Sequence, residues 1–444
     1  MVEREVHHVF REQHSQPFRR RMSCKLEIRH GTVSVGSMVY ALGEGAYTAE
    51  IVAPLTLAPT ILAVQYARST KGGALPPFLE VSLPEGHMRR AMLARLPGRV
   101  EPGDIALLRA VGCNMIGLIQ AADSKATALP SSAGLRLGVT EALQMEEGSL
   151  IDLAFDVGNA WPGISGGFMK LFVTSPAAAP LERDRHWIVK VADGDRPGLC
   201  AVEYFGMCAA RSMGLEVPET IISDDYSRYM VERFDLDATG EQLGFADLCA
   251  ISGSHAADKY ASSAERIVGM LEVACDSSTV ACSLDGFFAQ YLLASVIRNG
   301  DAHLKNFGLL YGQTCPATLS PVYDMLSMAV YAPKRNGGDA DDGMALTLNG
   351  SRRWPTPAML SGLARRCKVS HEREAFWVDR LVTALVDAAR KTTTDRSLAD
   401  VDAPTRAAIV RMLELWSIGL RPYNSVAAEF VRQLSRGGTG LLAR

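Results

Sequence analysis

The side chains best suited to chemistry lie in one polar stretch of this sequence. Asp301 and Asn306 stand five positions apart in a loop that follows an apolar helical run, and Asp324 comes after a predicted hairpin. A carboxylate in such a loop can accept a proton from a hydroxyl group. An amide oxygen and a second carboxylate are ligands that Mg²⁺ accepts. These three groups could therefore hold magnesium against a nucleotide phosphate.

The D-x-x-x-x-N spacing of Asp301 and Asn306 is that of a protein-kinase catalytic loop. There the Asp accepts the proton of the substrate hydroxyl and the Asn binds a metal ion. Asp324 stands where such enzymes keep their second metal-binding carboxylate. The same three residues could instead be turn formers and helix caps, and the spacing occurs by chance fairly often. The rest of the chain has to decide between these interpretations.

The composition is that of an ordinary globular protein with no general affinity for polyanions. The chain has 444 residues, which favours two or three domains, with 48% hydrophobic and 21% charged residues. A net charge of −3 gives no overall attraction to nucleic acid or anionic membranes. The nine cysteines form no CxxC pair or other metal-ligand spacing, which fits reduced thiols. With no apolar signal core or membrane-length apolar run, we expect a cytoplasmic protein with no membrane partner.

Shifts in composition divide the chain into five parts. We expect a flexible polar leader at residues 1–22, a small α+β domain at 23–121, and a linker rich in Ala, Ser and Pro at 122–135. Residues 136–236 form a mixed lobe, and 237–444 form a mainly helical lobe. The predicted fold class is thus α+β, with two lobes behind a small N-terminal domain.

Within these parts, hydrophobic periodicity predicts individual helices and strands. Strands are expected at 79–83 and 344–348. Helices are expected at 104–111, at 372–391 and, with Pro404 in its first turn, up to about residue 420.

The mixed lobe contains a small-residue loop that could cradle phosphate. Ser165, Gly166 and Gly167 are followed by Lys170 at the start of a strand. Such a loop lets backbone N–H groups approach phosphate oxygens without an intervening Cβ. Adjacent glycines more often mark a plain turn, and the loop matches neither a Walker motif nor G-x-G-x-x-G.

The elements after this loop follow the order of a kinase small lobe. Lys190, in an apolar strand, could pair with nucleotide phosphates and with Glu203 of the next helix. The last strand leads to Glu232 and Phe234, whose backbone groups could meet an adenine edge. The alternatives are an exposed lysine on an edge strand, a solvated helix glutamate and ordinary sheet residues.

With these elements in place, the sequence resembles the HipA-like toxin kinases, the kinase component of bacterial toxin–antitoxin systems. The resemblance covers nearly the whole chain after the leader. It rests on ordered stretches that read LPEG (83–86), GISGGFMK (163–170), WIVK (187–190), RPGLCAVEYFGMCAARSMGLEVPET (196–220), YMVERFDL (229–236), LCAISGSHAADKY (248–260), NGDAHLKNFGLLY (299–311), LSPVYDM (319–325) and MALTLNG (344–350).

The resemblance implies an ATP- and Mg²⁺-dependent serine/threonine protein kinase with a bilobal kinase-like fold and an N-terminal accessory domain. The implied roles are catalytic base for Asp301, magnesium ligands for Asn306 and Asp324, phosphate contact for Lys190, hinge for Glu232 and Phe234, and phosphate-steadying groups for His303 and Lys305.

The resemblance also implies partners. Family members act on translation-related proteins, notably aminoacyl-tRNA synthetases, and are held in check by a small helix-turn-helix antitoxin of the HipB kind. DNA would then be contacted only indirectly, through the antitoxin. Two other hypotheses are a kinase-fold corepressor module with little catalysis and a small-molecule kinase. The retained Lys190, Asp301, Asn306 and Asp324 argue against the first, and the N-terminal domain argues against the second.

One departure from the family pattern concerns self-inhibition by autophosphorylation. The family's phosphate loop usually reads S-x-x-G-x-x-x-K, with a serine that undergoes autophosphorylation. Alignment on Lys170 puts Gly163 at the position of that serine, and Ser165 comes two residues later. Either Ser165 takes over as the autophosphorylation site, or this chain lacks that control.

Overall fold

The computed structural model describes most of the chain after the predicted leader. The described residues are 23–42, 44–53, 58–59, 70–96, 103–112, 114–123, 134–156, 161–177, 183–192, 194–312, 315–336, 338–394 and 401–441. The predicted leader, 1–22, and most of the predicted linker lie outside them.

The N-terminal unit is an antiparallel sheet of five strands in the order β4-β3-β2-β1-β5. Alternation along β1 sends Leu26 and Ile28 into the core between this sheet and three short helices. The strands are β1 (Ser23–His30), β2 (Val33–Ala41), β3 (Ala46–Ile51), β4 (Thr70–Gly72) and β5 (Ile119–Ala122). The helices are α1 (Pro77–Glu80), α2 (Gly86–Arg95) and α3 (Gly103–Val111).

The strand predicted at 79–83 is wrong. Pro77 occupies the first turn of α1, where its fixed φ favours a helix start, and Phe78 and Leu79 are buried by this single turn. The apolar run was too short for its periodicity to separate a buried helical turn from a strand. The helix predicted at 104–111 is confirmed as α3.

The middle unit is a five-stranded sheet in the order β6-β7-β8-β10-β9. Only the β6–β7 pair is parallel. The strands are β6 (Leu135–Arg136), β7 (Lys170–Ser175), β8 (Arg185–Val191), β9 (Thr220–Ile222) and β10 (Arg228–Glu232). The helices are α4 (Val139–Gln144), α5 (Glu147–Asp156) and α6 (Leu199–Met213), of which α6 contacts β9 and β10.

The C-terminal unit is mainly helical, as predicted, with one small sheet at the boundary with the middle unit. That sheet comprises β11 (Gly244–Asp247), β12 (Gly308–Tyr311) and β13 (Thr318–Leu319). The helices are α7 (Leu248–Ile251), α8 (Ala264–Ala274), α9 (Val280–Val296), α10 (Pro357–Arg366), α11 (His371–Thr394), α12 (Ala403–Leu420) and α13 (Ser425–Leu441). The helices predicted at 372–391 and from Pro404 to about 420 are confirmed as α11 and α12.

The strand predicted at 344–348 does not form. Thr347 makes one isolated bridge with Ser263, and Leu348 bridges only to Ser351 across a turn. A strand needs a neighbour with a continuous row of free backbone groups, and this segment has none.

Helix α9 lies at the centre of the C-terminal unit and delivers the chain to the polar loop. From Phe287 to Val296 every side chain on it is buried, so this part of the helix is packed on all sides. It ends where Arg298 adopts a left-handed backbone conformation, with φ +62°. None of the helices in the described ranges combines the length and apolarity that a membrane crossing requires.

Candidate active site

The polar loop after α9 is fixed by its own backbone and side chains. The amide of Asn299 donates to the carbonyl oxygen of Asp324 at 3.3 Å, and its own Oδ1 accepts from the Asp301 N–H at 3.2 Å. A single 3-10 turn, Leu304–Asn306, follows and leads into β12. These bonds place the Asp301–Asn306 loop beside the segment that carries Asp324.

Four predicted site residues meet at one point. The Nζ of Lys190 lies 2.5 Å from Oε1 of Glu203 and also contacts Oδ1 of Asp324. The amide of Asn306 donates to Oδ2 of Asp324 at 3.3 Å. Lys190 and Asp324 are 134 residues apart in sequence.

The alternatives for Lys190 and Glu203 are excluded. Strand β8 lies between β7 and β10 rather than at an edge, and the Lys190 side chain is only 12% exposed. Glu203 is buried on α6 rather than solvated. One ammonium group thus bridges two carboxylates from separate parts of the chain.

Burial raises the pKa values of these two carboxylates, whereas the nearby lysines lower them. Burial raises the pKa of Glu203 despite the opposing charge of Lys190. Burial also acts to raise the pKa of Asp324, but Lys190 and Lys170 outweigh it and hold that pKa well below its usual range. Asp324 is therefore ionised at neutral pH, as a metal ligand must be.

The small-residue loop closes over this cluster and is held by Lys170. The buried Nζ of Lys170 donates to the carbonyl oxygen of Ser165 at 2.8 Å. Gly166 has φ +115°, and a Cβ there would lie 2.4 Å from that same Nζ, so only glycine fits. Burial, with the neighbouring charge of Lys190, lowers the pKa of Lys170. The loop is therefore held in a defined conformation by contacts outside its own backbone, unlike a plain turn.

A cleft lies between this loop, the middle sheet and the polar loop. The predicted residues that line it are Ser165, Lys170, Lys190, Glu203, Phe234, Lys305 and Asp324. Gly166, Gly167, Glu232, Asp301, His303 and Asn306 do not line it.

The apolar end of the cleft is aromatic. The ring centroid of Phe234 lies 5.6 Å from those of both Phe245 and Tyr323, which lie 5.9 Å from each other. The sequence analysis missed Phe245 and Tyr323, although Tyr323 directly precedes Asp324 in a stretch already singled out. These rings are suited to hold a planar base.

Glu232 lies outside the cleft. Its carboxylate forms an ion pair with Arg185 at 2.7 Å, and its N–H donates to the carbonyl oxygen of Glu219 at 2.9 Å. Since that donor is already used in the sheet, an adenine contact from Glu232 would have to come from its carbonyl group.

The polar loop holds Asp301 next to a tyrosine that the sequence analysis did not identify as a site residue. The phenol of Tyr260 donates to Oδ1 of Asp301 at 2.6 Å. Burial raises the pKa of Asp301, and the bond from Tyr260 opposes that rise. His303 is buried with its Nε2 3.9 Å from the same oxygen, and burial lowers its pKa to about 3. A neutral His303 brings no positive charge to a phosphate.

Asn306 and Asp324 fit a magnesium site in donor type. Both carry oxygen atoms, and Asp324 is ionised and partly exposed. Asn306 contacts Asp324 through its amide N–H, while its Oδ1 accepts from the His303 N–H at 3.0 Å. The described part of the chain contains no group of three or more His, Cys, Asp or Glu side chains that could hold a metal ion by themselves. Magnesium held by one or two protein ligands takes its remaining oxygens from phosphate and water.

Comparison with known proteins places this geometry in a family. The family model described as the HipA-like C-terminal domain matches residues 163–392, and that described as the HipA N-terminal domain matches 10–122. A putative kinase, Y4dM, of Sinorhizobium fredii (strain NBRC 101917 / NGR234) is 29% identical over an alignment of 159 residues that covers 33% of this chain. That match spans only 38% of the length of this curated relative.

A solved structure shares the fold over nearly the whole chain. It is a chain in the Shewanella oneidensis MR-1 toxin–antitoxin complex of HipA, HipB and operator DNA, matched with a TM-score of 0.56 and 18% identity. The match covers 94% of this chain and 96% of that one, so the two share a mixed α+β architecture. Because the C-terminal family model alone covers just over half of the sequence, the chain belongs to the HipA family and contains both of its domains.

Proposed function

We propose that this chain is a serine/threonine protein kinase that uses ATP and Mg²⁺ and acts as the toxin of a toxin–antitoxin pair. The contact of Lys190 with both Glu203 and Asp324, beside Asn306, is the observation that carries this proposal. In protein kinases a strand lysine paired with a helix glutamate contacts the phosphates, and an Asp and an Asn hold the metal.

Each residue has a task in the proposed reaction. Asp301 accepts the proton of the attacking hydroxyl, and Lys190 fixes the phosphates. Asn306 and Asp324 would hold Mg²⁺, which supplies positive charge against the phosphate oxygens. Phe234, with the aromatic rings beside it, would hold the base. Catalysis then comes from positioning and charge, without a covalent intermediate on the protein.

The finer parts of the proposal concern substrate, control and partners. The substrate is a translation-related protein such as an aminoacyl-tRNA synthetase, as the family resemblance implies. Ser165 lines the cleft and is the proposed autophosphorylation site. A HipB-like helix-turn-helix antitoxin would bind the chain in the cytoplasm and carry any contact with DNA. The Shewanella oneidensis complex, which contains HipB and operator DNA, supports that partner.

The test is mass spectrometry of the protein after incubation with ATP and Mg²⁺, followed by a transfer assay on purified translation proteins. Loss of the base in Asp301→Ala should lower the transfer rate by about 10²-fold to 10⁴-fold. Nucleotide binding should persist, because Asp301 does not line the cleft.

Asp387→Ala, at an exposed aspartate on α11, is the matched control and should transfer phosphate at the wild-type rate. Transfer by Asp301→Ala at an undiminished rate would rule out the assigned base. A wild-type protein that binds ATP but phosphorylates neither itself nor any translation protein would contradict the proposed function.

A further inference from the structure

The N-terminal unit forms backbone hydrogen bonds with both ends of the small-residue loop. The N–H of Glu85 donates to the carbonyl oxygen of Gly166 at 2.9 Å, and the N–H of Met88 donates to that of Gly167 at 3.3 Å. At the other end, Gly163 exchanges backbone hydrogen bonds of 2.7 and 3.2 Å with the segment 114–116. The loop over the cleft is therefore shaped by a different unit from the one that contains it.

The side chain of Glu85 then reaches the C-terminal unit. Its Oε1 accepts from Nζ of Lys305 and its Oε2 from Nζ of Lys259, both at 2.9 Å. Lys305 lies 220 residues away in sequence and its side chain is 4% exposed. Burial acts to raise the pKa of Glu85, but the two lysines hold it at about 2, so the carboxylate stays charged.

Lys305 lies within the loop that carries the proposed base and metal ligand, and Lys259 contacts that loop. Lys305 directly precedes Asn306. The carbonyl oxygen of Lys259 accepts from the N–H of Leu304 at 3.2 Å, and the next residue, Tyr260, donates to Asp301. One carboxylate thus binds a lysine of the loop and a lysine of the segment that packs against it.

Charge explains why the loop needs this carboxylate. The two ammonium groups repel each other, and the carboxylate between them offsets this repulsion. Without that negative charge the repulsion is no longer compensated. A second carboxylate near Lys305 is that of Asp247, which is buried, caps α7 by accepting from the Ala250 N–H, and has a pKa raised by burial. Asp247 is therefore a weak substitute for Glu85.

We propose that Glu85 is a positioning residue of the active site, through which the N-terminal unit sets the geometry of the 301–306 loop. The carboxylate of Glu85 binds Lys305 and Lys259, and its backbone N–H binds the small-residue loop. The effect on catalysis rests on the proposed kinase function; the effect on loop order does not.

The first measurement compares Glu85→Gln with Glu80→Gln. Glu80 also joins the N-terminal unit to the C-terminal unit, since its carboxylate lies 2.9 Å from Nδ1 of His255 and accepts from the Ala256 N–H at 2.7 Å. It touches neither lysine. Misplacing the loop should lower kcat in Glu85→Gln on the order of 10-fold to 100-fold. Glu80→Gln should retain near wild-type kcat.

The second measurement is hydrogen–deuterium exchange of peptides that cover residues 301–306. Exchange should be faster in Glu85→Gln than in the wild type or in Glu80→Gln. Adding Lys259→Gln to Glu85→Gln removes one of the two repelling charges, so exchange should slow again and kcat should partly recover. A merely structural contact would show no such rescue.

The outcomes separate the two proposals. A wild-type protein without phosphate transfer would overturn the proposed function, and the exchange data would still decide the role of Glu85. Equal loop exchange in wild type and Glu85→Gln would overturn the positioning role, even in an active kinase. Equal effects of Glu85→Gln and Glu80→Gln, without rescue by Lys259→Gln, would reduce Glu85 to an ordinary contact between units.

Discussion

The replacement Lys190→Met should make stability depend on pH in a defined direction. Methionine keeps an unbranched side chain in the middle of the sheet but removes the charge that Glu203 and Asp324 share. The buried Glu203 then loses the cation that it contacts and keeps only the charge of Lys170 nearby, whereas Asp324, whose side chain is 30% exposed, can recover part of its hydration. Glu203 therefore carries most of the cost.

Breaking a buried ion pair from one side costs about 3–5 kcal/mol. Glu203 can lower this cost by taking up a proton, because burial already raises its pKa and the loss of Lys190 raises it further. A group whose pKa is higher in the folded than in the unfolded state loses stability as pH rises above the unfolded value, about 4.3 for Glu. The deficit should therefore be small near pH 5 and largest near pH 8.

Thermal unfolding at both pH values measures the effect. At roughly 2 °C per kcal/mol for a large domain, Tm should fall by roughly 6–10 °C near pH 8 and by much less near pH 5. Adding Glu203→Gln to the variant should remove the pH dependence. Lys334→Met, which breaks an exposed ion pair, should change stability by less than about 1 kcal/mol at either pH. An equal fall in Tm at both pH values would refute the assignment to Glu203.

One further substitution tests the proposed base, and a pair of glycine substitutions tests the packing beside Asp324. Tyr260→Phe removes the hydrogen-bond donor to Asp301 and so raises the pKa of that carboxyl. The acid limb of the pH–rate profile should therefore move to higher pH by about half to one unit. An unmoved acid limb would contradict the role of the phenol. Gly206→Ala would place a Cβ 2.1 Å from the carbonyl oxygen of Met325, which follows Asp324, and should destabilise the protein by roughly 1–3 kcal/mol in thermal unfolding. Gly269→Ala, on α8 with nothing within 4 Å of the new Cβ, should instead be neutral or stabilising by up to about 1 kcal/mol. A similar Tm for the two alanine variants would contradict this difference in packing.

Features that depend on local spacing could be predicted from the sequence. Residues 301 and 306 share one short loop whatever surrounds it, and the apolar periods at 372–391 and beyond Pro404 predicted helices that form. Short apolar runs were less informative: 79–83 folds as a helical turn, and 344–348 finds no partner strand. A period cannot be read from so few residues, and a strand exists only if another strand lies beside it.

The pairing of distant charges could not be predicted from the sequence, because it depends on how the elements pack. Lys190 pairs with Asp324 across 134 residues, Tyr260 bonds Asp301 across 41, and Glu85 pairs with Lys305 across 220. No local pattern distinguishes the partner of a lysine from any other carboxylate. The partner is set by how sheets and helices pack, and a buried charge then requires an opposite charge at that place.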